Sequence, residues 1–324
     1  MTQKLNKNIL ISSAGRRVEL VKIWQREVKN FFEKKVFVFA NDLDPELSSA
    51  CAIADKYFKI CPINDGLYTE KLFQICLSNK IGMVIPTIDS ELIPLSRDRG
   101  IFAEKEINIL ISDLSLIKIC RNKFLTKDLF TSLGINYPEI LNKNDLSFPL
   151  IVKPFDGSSS KGVKKIFNNS ELSDFDLKNE NNMFQLCLPT NWIEYSVDLL
   201  FDNFGNLICC VPRERIETRG GEISKGVTRK NKLYDFVLEK FQYLEGARGP
   251  LTLQIFSDPK GCEFSAIELN ARFGGGYPMS YLSGANYPKL ILEENFSDIQ
   301  VKFTEDWHHN KLFLRHDNTI GIEV

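Results

Sequence analysis

An α/β front followed by an α+β back is the fold class this sequence predicts, and three observations predict it. Over the first third, short apolar runs alternate with helix-like stretches, which implies a parallel sheet with right-handed crossovers. From residue 193 onward the strands lengthen and are joined by hairpin signals. The composition, 43% hydrophobic and 26% charged over 324 residues, is that of an ordinary globular chain with room for two or three lobes.

Each element follows from its local pattern. Asn8 to Ser12 reads as a strand, and Arg16 to Phe32 as a helix with Val18, Val21, Trp24 and Val28 on one stripe. Val36 to Ala40 is a second buried strand. Leu47 to Ala54 reads as a short helix and Tyr57 to Ile60 as a short strand. Thr69 to Asn79 is a helix, and Met83 to Pro86 and Ile109 to Ile111 are strands. Residues 1–113 are therefore Rossmann-like in organisation. Leu114 to Gly134 reads as one helix stopped by Gly134. Pro149 to Pro154 is a strand running into a Gly/Ser-rich loop, and Asn168 to Met183 is polar surface helix and loop. Tyr195 to Phe201 and Asn206 to Val211 flank the turn Asp202-Asn203-Phe204-Gly205. Leu251 to Phe256 and Glu263 to Asn270 flank a second turn at 257–262.

Composition excludes several classes. With 41 Lys and Arg against 42 Asp and Glu, the net charge of −1 offers no global field for nucleic acid or an anionic membrane. No apolar run reaches the roughly 18 residues of a membrane helix, and Ile9-Leu10-Ile11 is too short for a signal peptide. The expected location is the cytoplasm. The eight Cys contain no C-x-x-C pair and read as buried free thiols. His308, His309 and His316 read as surface residues of a polar tail. Ser13-Ala14-Gly15-Arg16-Arg17 is not a G-x-G-x-x-G fingerprint, so NAD binding is not expected.

Four features carry chemistry. Lys153 ends a strand before the loop Gly157, Ser158, Ser159, Ser160, Lys161, Gly162. Backbone N–H groups of such a loop can close over a triphosphate, and the lysine supplies a point charge; alone, the loop reads equally as a surface turn. Lys123, near a helix start, alone reads as a solvated lysine. Glu268 and Asn270, two apart on a strand, present oxygens on one face, and Gln254 faces them across the hairpin if the register allows. Magnesium takes hard oxygen ligands, few of them from protein. Arg272 falls on the same face if the strand continues, where it could steady a transferring phosphoryl group. Last, Arg213, Arg215 and Arg219 before Gly220-Gly221-Glu222 read as an anion-gripping loop or as a solvated charge run.

In that order, Lys123, Lys153 with its loop, Glu194-Tyr195-Ser196-Val197-Asp198, Gln254 and Glu268-Leu269-Asn270-Ala271-Arg272 resemble the ATP-grasp superfamily over about 115–290. Within it they are most similar to the large-subunit module of carbamoyl-phosphate synthase and to biotin carboxylase. The resemblance implies an α/β Rossmann-like N-terminal domain (1–113) followed by a two-lobed α+β ATP-grasp domain. Its N-terminal lobe with the glycine-rich lid would be 114–188, and its C-terminal lobe with the metal site 189–324. Lys123 and Lys153 would hold phosphates under the lid. The adenine hinge would be Phe184 to Cys187, with Gln185 and Leu186 as its contacts; many relatives carry an acid where this chain has Gln185. Glu194 would hold the ribose, and Gln254, Glu268 and Asn270 the metal, Mg2+ or Mn2+. Arg272, with Lys153 and Arg213, would serve catalysis.

The implied chemistry is ATP-dependent phosphorylation of a carboxylate to an acyl phosphate, then attack by an amine, with no nucleophile on the protein. A single module without a glutaminase or biotin-carrying segment argues against carbamoyl phosphate synthesis by this chain alone. Alternatives are a carbamoyl-phosphate-synthase-like or kinase-like ATP-grasp enzyme, or a non-catalytic nucleotide sensor. The acceptor pocket is expected at strand ends of the first domain, at Arg16, Thr87, Asp89 and Glu91, and Arg219 is a further candidate substrate contact. Partners are expected to be a small-molecule carboxylate and amine, with a homodimer as the base-rate assembly.

Overall fold

The computed structural model describes residues 6–157 and 162–322. The first sheet is parallel. Its strands are β1 (Asn8–Ser12), β2 (Val38–Asp42), β3 (Lys56–Lys59), β4 (Ile81–Pro86) and β5 (Asn108–Ile109), in the order β3-β2-β1-β4-β5. Helices α1 (Val18–Phe31), α2 (Ser49–Ile53), α3 (Tyr68–Ser78) and α4 (Leu92–Ala103) make the crossovers. Strand order reverses between β1 and β4, so the loops after these two strands border the crevice where such sheets bind ligands. Ile81 to Pro86 are buried throughout, as a central parallel strand requires.

Two expected helices are split by capping residues. A 3₁₀ turn, Pro45–Leu47, precedes α2, whose N-cap Ser48 accepts from the Cys51 N–H. The helix expected over 114–134 is α5 (Leu114–Arg121) and α6 (Lys123–Ser132). Asn122 between them is extended, and its side chain accepts from the N–H groups of Phe124 and Leu125. An asparagine that caps the following turn competes with helix continuation. The break matters because it makes Lys123 the first residue of α6, with its N–H on the Phe155 carbonyl.

The second sheet is small and antiparallel: β6 (Ile140–Leu141), β7 (Leu150–Pro154), β8 (Lys164–Ile166) and β9 (Asn182–Leu186), ordered β6-β9-β7-β8. It has its own core of Leu150, Val152, Ile166 and Phe184. A short α7 (Asp174–Lys178) covers the polar segment before β9. The third sheet comprises β10 (Ile193–Phe201), β11 (Leu207–Arg219), β12 (Glu222–Thr228), β13 (Gly249–Ser257), β14 (Phe264–Asn270) and β15 (Leu312–Leu314), ordered β14-β13-β10-β11-β12-β15 and antiparallel. Around it lie α8 (Lys232–Phe241), α9 (Tyr277–Ser283) and α10 (Tyr287–Phe296). One core runs from β1 through this sheet to Trp307.

A polar clasp joins the first and third sheets' helices. Glu27 on α1 accepts from Tyr281 Oη at 2.5 Å and from Asn286 Nδ2 at 2.8 Å. Inside the third sheet, Asp198 takes both Nε (2.9 Å) and Nη2 (3.0 Å) of the fully buried Arg213, and the Ser280 hydroxyl at 2.6 Å. The eight cysteines are all free; Cys262 is exposed, against expectation, because it sits in the β13–β14 turn. Among the described residues no helix is long and apolar enough to cross a membrane.

The β10–β11 turn needs its glycine. Gly205 has φ of 90°, and a Cβ there would lie 2.6 Å from the Leu244 carbonyl oxygen. Gly205→Ala is expected to cost about 1–3 kcal/mol, read as a lowered urea midpoint with unchanged slope; a loss below about 0.3 kcal/mol would contradict it.

Candidate active site

The β13–β14 register sets the site. Gln254 pairs directly with Glu268, and Thr252 with Asn270. Leu269 between them is fully buried, so Glu268 and Asn270 share the opposite face. The strand ends at Asn270 rather than continuing: the Arg272 N–H turns back onto the Asn270 carbonyl at 2.9 Å. Arg272 still reaches the site, because its Nη2 lies 3.5 Å from Asn270 Oδ1. The same nitrogen bonds Asp89 Oδ2 at 2.7 Å, across from the first sheet. Burial alone would lower the Arg272 guanidinium, but Asp89, then Glu268 and Glu222, leave it raised.

Both lysines converge here. Lys123 Nζ donates to the Gly157 carbonyl at 2.7 Å and stands 3.8 Å from Glu268 Oε1. Lys153 on β7 is buried, and its Nζ donates to Gln185 Oε1 at 2.7 Å. Burial, and then the charge of Lys123, push Lys153 down to about 8, with Glu268 opposing. Burial also lowers Lys123, again against Glu268. A desolvated ammonium pair with one nearby carboxylate is the arrangement a polyanion would satisfy. Gly157 and Gly162 bracket the loop; Ser158, Ser159 and Ser160 lie outside the described residues.

Several expectations need correction. Gln185 is buried, with its amide used between Lys153 and the Pro138 carbonyl (3.1 Å). The Leu186 and Cys187 N–H groups donate to the Glu139 and Pro149 carbonyls, so the sheet has already taken them. Arg213, Arg215 and Arg219 lie on strand β11, not in a loop, and each has a carboxylate partner: Asp198, Glu194 and Asp317 respectively. Alternation along β11 puts Arg213 and Arg215 inward, and bulges turn Arg219 out to solvent. Arg213 therefore braces the sheet; its Nη1 packs so close to Gly276 that a Cβ there would stand 2.1 Å away. Glu194 meets Arg215 Nη1 at 2.7 Å, and burial raises its carboxyl despite that arginine.

Glu91 and Thr87 belong to the frame behind the crevice. Glu91 is fully buried and accepts from Ser12, Ser13 and Tyr68 hydroxyls and from the Thr87 and Ile88 N–H groups. All its acceptor positions are occupied, which shapes the loop presenting Asp89. The Thr87 hydroxyl is likewise bonded to the Ser12 and Ser13 carbonyls. His309 accepts from the Lys230 N–H, and no group of three His, Cys, Asp or Glu gathers as a metal site among the described residues.

A cavity of about 650 Å³ opens beside Arg272, between the loop after β1 and the β11–β12 end of the third sheet. Arg16 and Arg219 line it, as do Arg17, Glu222 and residues Gly274 to Gly276. Sequence reading missed Arg17, though it adjoins Arg16 in the same motif. It also missed Arg315 and Asp317, for which no local signal exists: they arrive only because β15 pairs with β12.

Two family models match the chain: the PylC-like N-terminal domain over residues 9–110, and ATP-grasp in the biosynthetic pathway with Ter operon over 182–311. A carbamoyl-phosphate synthase of Methanobrevibacter smithii is 26% identical over 102 residues, 28% of either chain. The matches span under a third of the length of the curated relatives. Among solved structures, the biotin carboxylase domain of Hydrogenobacter thermophilus 2-oxoglutarate carboxylase, in complex with MgADP, ADP and bicarbonate, superposes with a TM-score of 0.71. It is 15% identical, covering 95% of this chain and 73% of that one. An L-amino acid ligase from Bacillus licheniformis gives 0.65 at 18% identity, covering 90% and 75%.

Lys153 yields a pH prediction. Its folded value of about 8 lies below the ordinary 10.5. The native state therefore bears a penalty below pH 8 that fades as pH rises to 10.5. Lys153→Met removes it, so the variant's stability relative to the parent is greatest near pH 7 and declines between pH 8 and 10.5. The shift corresponds to about 3 kcal/mol at most. Thermal denaturation across this range checks it; a pH-independent difference would contradict it.

Proposed function

We propose that this chain, whose residues 182–311 match an ATP-grasp family model, is an ATP-dependent carboxylate–amine ligase of the ATP-grasp superfamily that releases ADP. The observation that carries the reading is the buried pair Lys123 and Lys153 facing Glu268, Asn270 and Arg272. One carboxylate and two amide oxygens, from Glu268, Asn270 and Gln254, suit magnesium or manganese, which take hard oxygens and leave positions for phosphate and water. Bound, MgATP would supply the phosphoryl group and offset its charge. In this reading residues 114–188 and 189–324 are the two lobes that enclose the nucleotide, with 1–113 supplying part of the acceptor pocket.

The residues then act by position and charge. Lys123 and Lys153 hold phosphate oxygens, and Gln185 keeps Lys153 aimed by accepting one of its protons. Gly157 ties the loop to Lys123. Glu194, with Arg215, sits where a ribose could be held. Arg272, fixed by Asp89, faces the charge that develops as the phosphoryl group passes to a carboxylate. Positioning supplies most of what such a transfer needs, so no protein nucleophile is required. The substrates would be a small-molecule carboxylate and an amine. A homodimer in the cytoplasm is part of the proposal; the free thiols fit a reducing compartment.

The test is ADP release from MgATP with pooled carboxylates and hydroxylamine, which traps an acyl phosphate as a hydroxamate. A carboxylate-dependent hydroxamate is expected; nucleotide binding with no ADP from any pool would favour a sensor instead. Arg272→Lys should lower hydroxamate formation about a hundredfold while MgADP affinity stays within about threefold. Equal loss of both would contradict a role confined to the transferring group. Nucleotide affinity should also fall as pH rises through about 8, as Lys153 loses its proton; a flat profile in calorimetry between pH 7 and 9.5 would contradict that.

A further inference from the structure

The cavity beside Arg272 is unevenly charged. Its lining includes five cationic side chains, Arg16, Arg17, Lys22, Arg219 and Arg315, and three carboxylates, Glu19, Glu222 and Asp317. Each carboxylate already has a cation. Lys22 pairs with Glu19 at 2.9 Å, Arg219 with Asp317, and Arg315 with Glu222 at 2.5 Å. Among the described residues Arg16 and Arg17 make no ion pair within 4.0 Å, although the charge of Glu222 acts on both and that of Asp89 on Arg17. The one side-chain hydrogen bond of Arg17 shown there is to the Thr87 carbonyl, at 3.3 Å. Burial, and then the charge of Arg272, push Arg17 down to about 10, against Glu222 and Asp89. Two guanidiniums with no ion-pair partner thus stand side by side at one pole of the cavity.

The same pole holds the start of α1. Arg17 is its N-cap and offers no side-chain acceptor, and Val18, Glu19 and Leu20 line the cavity. First-turn N–H groups and the helix dipole add to the attraction for an anion that the two arginines create. The other pole is apolar. Ile223, Met279 and Phe313 form a small separate cluster, and Leu282, 56% exposed, extends it. Phe313 and the arm carrying Arg315 lie past residue 311, where the family match ends.

We infer that the cavity binds a substrate with a doubly charged anionic end on Arg16, Arg17 and the α1 terminus, and an apolar body against Ile223, Met279, Leu282 and Phe313. The inference rests on reading this cavity as the substrate pocket of the proposed ligase. Two unpaired positive charges match a phosphate monoester or a dicarboxylate, which share this chemistry. Glu222 is shared among Arg315, Arg16 and Arg17, so the lining keeps an excess of two positive charges, and a single carboxylate would offset only one of them.

The test is isothermal titration calorimetry on the full chain at low salt, with 2-isobutylsuccinate, 4-methylpentyl phosphate, 4-methylpentanoate and succinate as separate probes. At least one dianion with the branched body should bind tenfold or more tightly than 4-methylpentanoate and succinate. Which one binds tells a dicarboxylate head from a phosphoryl head. Arg16→Gln, at an exposed position, should weaken that probe about tenfold, and Arg17→Gln at least as much. Failure of both dianions, equal binding of 4-methylpentanoate, or affinity unchanged in Arg16→Gln would overturn the inference. MgADP is titrated into the same samples: its loss with anion binding kept would break the nucleotide reading instead, and the reverse would break this one.

Discussion

The carboxylate of Glu268 is the interaction on which the rest of the site depends. Lys123, Lys153, Arg215 and Arg272 come from four separate segments, and the charge of Glu268 acts on every one of them. Burying cations costs more than their mutual contacts return unless an opposite charge faces them. Glu268 provides that charge from the middle of β14, a strand held in place by its ladder to β13. A slip of one residue in that ladder would turn Glu268 and Asn270 into the core and Leu269 outward. Lys123 and Lys153 would then lose the carboxylate that faces them, while Arg215 and Arg272 would keep only Glu194 and Asp89.

Arg272 stands between two differently charged regions. On one side lie the two lysines, an environment suited to phosphates. On the other lies the arginine cavity, formed where the strand order of the first sheet reverses. Asp89 fixes Arg272 from that sheet, and Glu91 fixes the loop that carries Asp89 by gathering five donors around one buried carboxylate. The chain thus ties its crevice to the edge that carries Glu268 and Asn270 through consecutive acid–base contacts rather than through a flexible link. The glycine run 274–276 allows this closeness, since side chains there would collide with Thr252, Glu222 and Arg213.

The third sheet carries a second, inward-facing set of charges. Arg213 and Asp198 are both buried and satisfy each other with help from Ser280. Replacing such a pair by apolar residues is often neutral in stability, whereas removing one partner is costly. Its position directly beneath Gly276 gives it a geometric task as well: it sets how deeply the backbone after Arg272 can settle.

Local chemistry determined much of this protein by itself. The alternation of apolar runs and helices, the two hairpin turns, and the Glu268-Leu269-Asn270 spacing could all be read from neighbours in the chain, because periods of 3.6 and 2 are local properties. The order of Lys123, Lys153, Gln254, Glu268 and Arg272 was equally legible. Only the tertiary structure decided what those groups meet. Asn122 as a cap rather than a helix residue, Gln185 turned onto Lys153, Arg213 paired with Asp198, and Glu91 enclosed by donors all depend on which distant segment arrives. Arg315 and Asp317 reach the cavity because three residues of β15 pair with β12, a contact more than eighty residues away in sequence. Charge pairing across such distances has no period to read, since it is settled by burial and register once the sheets have packed.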